Sequence, residues 1–140
     1  MVDSTVYFDL PSDFRASKVS EAELKGLATM LRELIRKRDF PVGDLFGSST
    51  DVWGFSLDFE KYEIQVGVAS NRLSKPQRWF ADVVLDDPGW FKSTREGRLK
   101  QMKIVERIVH DALKTDLRAR NVAWYLGKGR VDRRESQSEP

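Results

Sequence analysis

His110 is the only histidine in the chain. It follows Glu106 by four residues, one helical turn, so a carboxylate and an imidazole fall side by side. Such a pair can move a proton only if a nucleophile or a bound substrate lies within reach. Nothing near it in sequence supplies one, and His110 reads as an exposed or salt-bridged surface histidine. Asp44, Asp51, Asp58 and Glu60 are the candidates for a carboxylate set around a hard cation, which needs several convergent oxygens. Asp58 and Glu60 alternate along one strand face with Lys61 behind them, which reads as a polar outer sheet face. Gly43-Asp44-Leu45-Phe46-Gly47-Ser48 lacks the lysine of a phosphate-binding loop, and no G-x-S-x-G elbow occurs. Without cysteine there is no thiolate nucleophile and no thiolate-ligated zinc. The residues thus predict no catalytic centre, no metal and no cofactor.

The remaining signals concern binding. Lys103, Arg107, Lys114 and Arg118 recur at spacings of four, seven and four on one helix face, which Lys100 and Lys92 extend. A basic helix face of this kind can track phosphates, although Asp111 and Glu96 interrupt it. Aromatic pairs recur at Trp79-Phe80, Trp90-Phe91 and Trp124-Tyr125. On a strand, neighbouring residues point to opposite faces, so one member of such a pair is a candidate for exposure. Exposed aromatics mark interfaces. The same helix carries Leu99, Met102, Val105, Val109, Ala112, Leu113 and Leu117 on its core face, and Ile104 and Ile108 widen that apolar sector. Either another element of the chain covers these isoleucines or a partner does. The expected docking patch is therefore Trp90, Phe91, Ile104, Ile108 and Trp124.

These residues need elements to hold them. Thr5–Leu10 alternates weakly as a first strand. Ser20 caps a helix with Leu24, Leu27, Ala28, Leu31, Leu34 and Ile35 at helical spacing, ended by Phe40-Pro41. Residues 40–50 read as a Gly/Ser-rich loop. Trp53, Phe55, Leu57 and Phe59 alternate on one strand, and Tyr62, Ile64, Val66 and Val68 on the next, with a tight hairpin between. Arg78–Asp86 is apolar on both faces, as a doubly buried strand would be. Asp87-Pro88-Gly89 reads as a turn. Ser93 caps the second helix, which runs to about Arg118, and Val122–Leu126 is a short last strand. The central helix-strand-strand-strand-helix order is similar to that of a double-stranded RNA-binding domain, with Lys92, Arg95 and Arg98 near the start of the second helix. The glycine- and lysine-rich signature that would precede that helix is absent.

Bulk properties set the frame. A chain of 140 residues is the size of one domain, and 40% hydrophobic against 33% charged side chains is a folded composition. Residues 1–60 carry 7 basic and 11 acidic side chains, residues 61–140 carry 17 and 11. The second half could therefore meet an anionic partner. The start, Met1-Val2-Asp3-Ser4-Thr5, has no charged-then-apolar secretory pattern, and no apolar run is long enough to span a membrane. These features predict an α+β domain over residues 1–126 followed by a polar, mobile tail over 127–140. Its sheet should hold three to five antiparallel strands with two helices on one face, in the order β-α-β-β-β-α-β. The function expected is that of a cytoplasmic, non-enzymatic protein-binding module. An immunity protein, an antitoxin, a phage-encoded inhibitor and a chaperone-like adaptor all fit, acting on another protein or on a second copy. The alternative is a nucleic-acid binder using Lys92, Lys100, Lys103, Arg107, Lys114 and Arg118.

Overall fold

The alternation of residues 52–59 and 62–71 is that of strands which each bury one face. Residues 78–86 form a third whose expected second buried face is only partly covered: Trp79, Ala81, Val83 and Leu85 are buried, but Phe80 and Val84 are half-buried. In the computed structural model the three strands occupy the centre of a six-stranded sheet. The structure describes residues 2–11, 21–48, 52–59, 62–71, 78–86, 95–126 and 137–140. Within them the chain runs β1 (Val2–Asp9), α1 (Glu21–Arg36), β2 (Val42–Ser48), β3 (Val52–Phe59), β4 (Tyr62–Asn71), β5 (Arg78–Asp86), α2 (Arg95–Asp111) and β6 (Arg120–Leu126). Every neighbouring pair is antiparallel, in the order β2-β3-β4-β5-β1-β6. The class is α+β, as expected. The expected caps Ser20 and Ser93, and the turn at residues 87–89, lie outside the described residues.

The strand count is a correction. Residues 42–48 are a strand, not part of a loop. No period-two pattern announces it, because Gly43 and Gly47 stand where side chains would be. A Cβ at Gly47 would collide with the ring of Trp53 on β3. The glycine lets the two backbones pair closely, and a register shift between Val42 and Leu45 completes the fit.

The core lies between one face of the sheet and both helices. Phe55, Leu57, Ile64, Val66, Ala81, Val83, Val6 and Phe8 are buried from the strands, and Leu24, Leu27, Leu31, Ile35, Met102, Val105 and Val109 from the helices. Leu34 packs at the margin, partly buried. Helix α1 meets β2, β3 and β4, while α2 meets β5 and β1, and the helices touch one another. Arg38, just past α1, is joined to Asp116 by an ion pair of 2.5 Å.

After Asp111 the helix loosens. Leu117 N–H donates to the carbonyl of Ala112, five residues back, and Ala119 N–H donates to that of Leu113. Arg118 and Asn121 take positive φ there, 53° and 52°, and turn the chain into β6. The end of the polar tail returns to the sheet. Gln137 exchanges both backbone hydrogen bonds with Trp124, and Glu139 lies 3.7 Å from Arg107. Residues 127–136 lie outside the described residues. No described helix is long and apolar enough to cross a membrane.

Candidate functional site

Two members of the expected docking patch are taken up by packing within the chain. Trp124 is fully buried and Ile108 is 8% exposed, both within the core, and Ile104 packs partly buried against it. The apolar sector of α2 is wide because three elements, β5, β1 and α1, cover it within the chain. Trp90, Phe91 and Lys92 lie outside the described residues.

His110 is likewise not on the surface. It is 5% exposed, and its Nδ1 accepts a hydrogen bond of 3.1 Å from the indole N–H of Trp124. An accepting Nδ1 places the ring proton on Nε2, so this is a neutral imidazole. Burial lowers its pKa below the usual histidine value; Arg107 and Lys114 lower it too, against the opposing pull of Asp111 and Glu139. A depressed folded pKa means that the unfolded chain takes the proton first. The stabilisation from neutral His110 is therefore complete above the unfolded value of about 6.5 and is lost as pH falls below it. The unfolding free energy from urea titration should drop between about pH 7.5 and pH 5.5, by at most about 1.4 kcal/mol per pH unit for one proton. His110→Gln should flatten that dependence; an unchanged slope would show that His110 does not carry it.

Carboxylates do not assemble into a metal site among the described residues. Asp44 and Asp58 are separately exposed, on β2 and β3. Asp51 and Glu60 lie outside the described residues.

The basic row is only partly on the helix: α2 ends at Asp111 rather than near Arg118, Lys114 lies in the wider turn that follows, and Arg118 lies beyond both. Lys100, Lys103, Arg107 and Lys114 are all exposed. Glu96 and Asp111 share that face, and Glu139 approaches Arg107. Arg118 is exposed as well, in the positive-φ turn beyond the helix.

The side of the sheet away from the helices presents a different surface. Two cross-strand rows define it. One runs Ala69–Phe80–Tyr7–Ala123 over β4, β5, β1 and β6. The other runs Phe46–Gly54–Gly67–Asp82–Thr5–Tyr125 through all six strands. Five strand spacings make that row about 24 Å long. Tyr7 lies at its aromatic end, with ring centroids 5.4 Å from Phe80 and 5.6 Å from Tyr125, the latter edge-on. At the other end Phe46 is 40% exposed, and its ring lies over Gly54, where an added Cβ would come within 3.1 Å of it.

No protein-family model matches the chain, and no curated protein or solved structure matches it.

The polar groups beside the aromatic end are held firmly. Arg78 stands 5.8 Å from the Tyr7 ring centroid. Its Nε donates to Asp9 at 3.2 Å, its Nη2 donates to the Asn121 carbonyl at 2.7 Å, and Asn121 Nδ2 donates to Asp9 at 2.8 Å. Thr5 donates to Asp82 at 2.5 Å. Between them opens a shallow cavity of about 490 Å³ lined by Thr5, Tyr7, Arg78 and Tyr125. Its groups stack, donate and accept; no paired nucleophile and base stand among them. Sequence reasoning saw half of this site. It reads one member of Trp79-Phe80 and of Trp124-Tyr125 as outward, and the structure turns Phe80 and Tyr125 outward while burying both tryptophans. Tyr7 had no such signal, because its neighbours alternate weakly.

Proposed function

We propose that this chain is a non-enzymatic protein-binding module whose docking surface is the helix-free face of its sheet. The observation that carries the reading is the aromatic cluster of Phe80, Tyr7 and Tyr125 on β5, β1 and β6, with Phe46 exposed at the opposite edge of the same face, on a sheet whose other side is already covered. Aromatic side chains on a rigid, flat support lose little entropy when a partner covers them, and such residues anchor interfaces. The sheet is braced from behind by a continuous core, so the surface is formed before it binds. His110 faces inward and is committed to Trp124. A small inhibitor, immunity protein or adaptor working in the cytoplasm suits this design, and the absence of cysteine suits that compartment.

A second reading rests on the exposed row Lys100, Lys103, Arg107 and Lys114, which could follow a nucleic-acid backbone. One experiment separates the two. The tagged chain is used as bait in lysate of its native host, with and without nuclease, beside Tyr7→Asp and Lys103→Glu/Arg107→Glu. A protein recovered after nuclease, lost with Tyr7→Asp and kept with the helix variant supports docking on the sheet. Loss on nuclease treatment and with the helix variant would instead support nucleic acid. A second copy recovered in the same manner would make the face a dimer contact.

A further inference from the structure

We propose that the outer edge of β6 is a strand-addition site, held in the free chain by residues 137–140 and taken in the complex by an extended segment of the partner with apolar residues on its Tyr125 side. The inference rests on the docking reading above and adds the backbone contact by which the partner is held.

Strand β6 ends the sheet, with β1 as its neighbour. In an antiparallel ladder the backbone groups of successive residues turn to opposite sides. Trp124 turns its N–H and C=O away from β1, and Leu126, two residues on, turns the same way. An edge of this kind is a template for another strand, and folds commonly cover or blunt it. Here the chain covers it with its own residues. The Trp124 N–H donates to the Gln137 carbonyl at 2.6 Å, and the Gln137 N–H donates to the Trp124 carbonyl at 2.9 Å. The exchange is antiparallel and shows what the edge accepts.

Residues 137–140 hold this place with little. The bridge is an isolated one, and the ion pair that accompanies it, Glu139 with Arg107, spans 3.7 Å between two exposed side chains. Exposed ion pairs of this kind contribute little. The Gln137 amide turns back to the Glu139 carbonyl rather than to the domain. The edge itself is firm by contrast, because Trp124 is fully buried and its indole is held by His110. A longer strand displaces such an occupant, since each further residue pair adds main-chain hydrogen bonds.

The edge also adjoins the aromatic cluster. A strand added in the same register sets the residue before the Trp124 partner opposite Tyr125, and the residue after it opposite Ala123. Both positions lie on the helix-free side. In the sequence Ser136 and Ser138 flank Gln137. An aromatic or branched aliphatic residue opposite Tyr125 makes a better cross-strand pair than serine. A partner lying over Tyr7 and Tyr125 thus reaches the β6 edge without using the basic row of α2.

The test uses the full chain, its Gln137→Pro variant and two peptides. Proline removes the N–H that Gln137 donates. One peptide copies residues 133–140, and the other carries Phe and Ile in place of Ser136 and Ser138. In the variant, with native circular dichroism, the Trp124 amide should exchange at least about tenfold faster than in the parent, while the Ala123 and Tyr125 amides facing β1 stay unchanged. An edge occupied nine-tenths of the time weakens an incoming strand about tenfold, so the Phe/Ile peptide should bind Gln137→Pro about tenfold more tightly than the parent. It should also bind more tightly than the copied peptide and restore protection at Trp124. N-methylation of its glutamine, the residue that pairs with Trp124, should abolish binding. Glu139→Lys keeps the backbone donor but loses the Arg107 contact, and should act in the same direction by a smaller factor. Unchanged Trp124 exchange in both variants would overturn the occupied edge. Peptide binding that leaves Trp124 unprotected, that survives N-methylation or that is absent would overturn strand addition. The docking reading itself falls only if Tyr7→Asp keeps its partner in nuclease-treated lysate.

Discussion

Ile108→Asp will abolish the native fold or leave it only marginally stable. The side chain is 8% exposed and belongs to the core that α2 shares with the sheet. A carboxylate there must be desolvated without a partner, at a cost of several kcal/mol. Removing the isoleucine from its packed site adds about 2 kcal/mol or more. A domain of this size has about 5–15 kcal/mol in total, so the two losses consume much of it. Ile104→Asp should be milder, because that residue is partly exposed at the margin. Far-ultraviolet circular dichroism with urea titration measures both. A fully stable, monomeric Ile108→Asp would put the residue on the surface and restore the helix-face interface that its spacing suggested.

Trp124→Ala should cost about 3–5 kcal/mol, the range for deleting a buried aromatic side chain. Trp124 is fully buried and holds β6 to the core beneath β1. Trp124→Phe separates packing from hydrogen bonding. It keeps most of the apolar volume but removes the N–H that His110 Nδ1 accepts, leaving a buried acceptor unsatisfied at about 1–3 kcal/mol. The Phe variant should also change the pH dependence between about pH 7.5 and pH 5.5, because the neutral imidazole loses the donor that favours it. Equal stability of Trp124→Phe and the parent would mean that the His110 contact is energetically idle. The backbone exchange between Trp124 and Gln137 survives either substitution, so the C-terminal residues should stay seated.

Local pattern was enough for the middle of the fold. Phe55 and Leu57 on β3, and Ile64 and Val66 on β4, alternate with polar residues, and a hairpin pairs them Phe55 with Val66 and Leu57 with Ile64. The core stripe of α1 was equally plain. What escaped depended on partners distant in sequence. Strand β2 exists because β3 pairs with it and because its glycines admit Trp53, neither of which leaves a period in residues 42–48. The breadth of α2 was visible, but whether Ile108 met solvent or a neighbour was decided by α1, β1 and β5. The pair Trp124-Tyr125 announced one outward aromatic. Which one it was followed from the register against β1, where Thr5 pairs with Tyr125 and Val6 with Trp124. His110 stood on a helix that reads as charged on one side, and its burial follows from the indole that reaches it from β6.

The docking face can be examined residue by residue with hydroxyl-radical footprinting, on the free chain and on the complex recovered from nuclease-treated lysate. Tyr7, Phe80 and Tyr125 should be oxidised in the free chain and protected in the complex, while the modification of residues around Lys100, Lys103 and Lys114 stays unchanged. Protection along α2, with the three aromatic rings equally reactive in both states, would contradict the assignment of the sheet face as the binding surface.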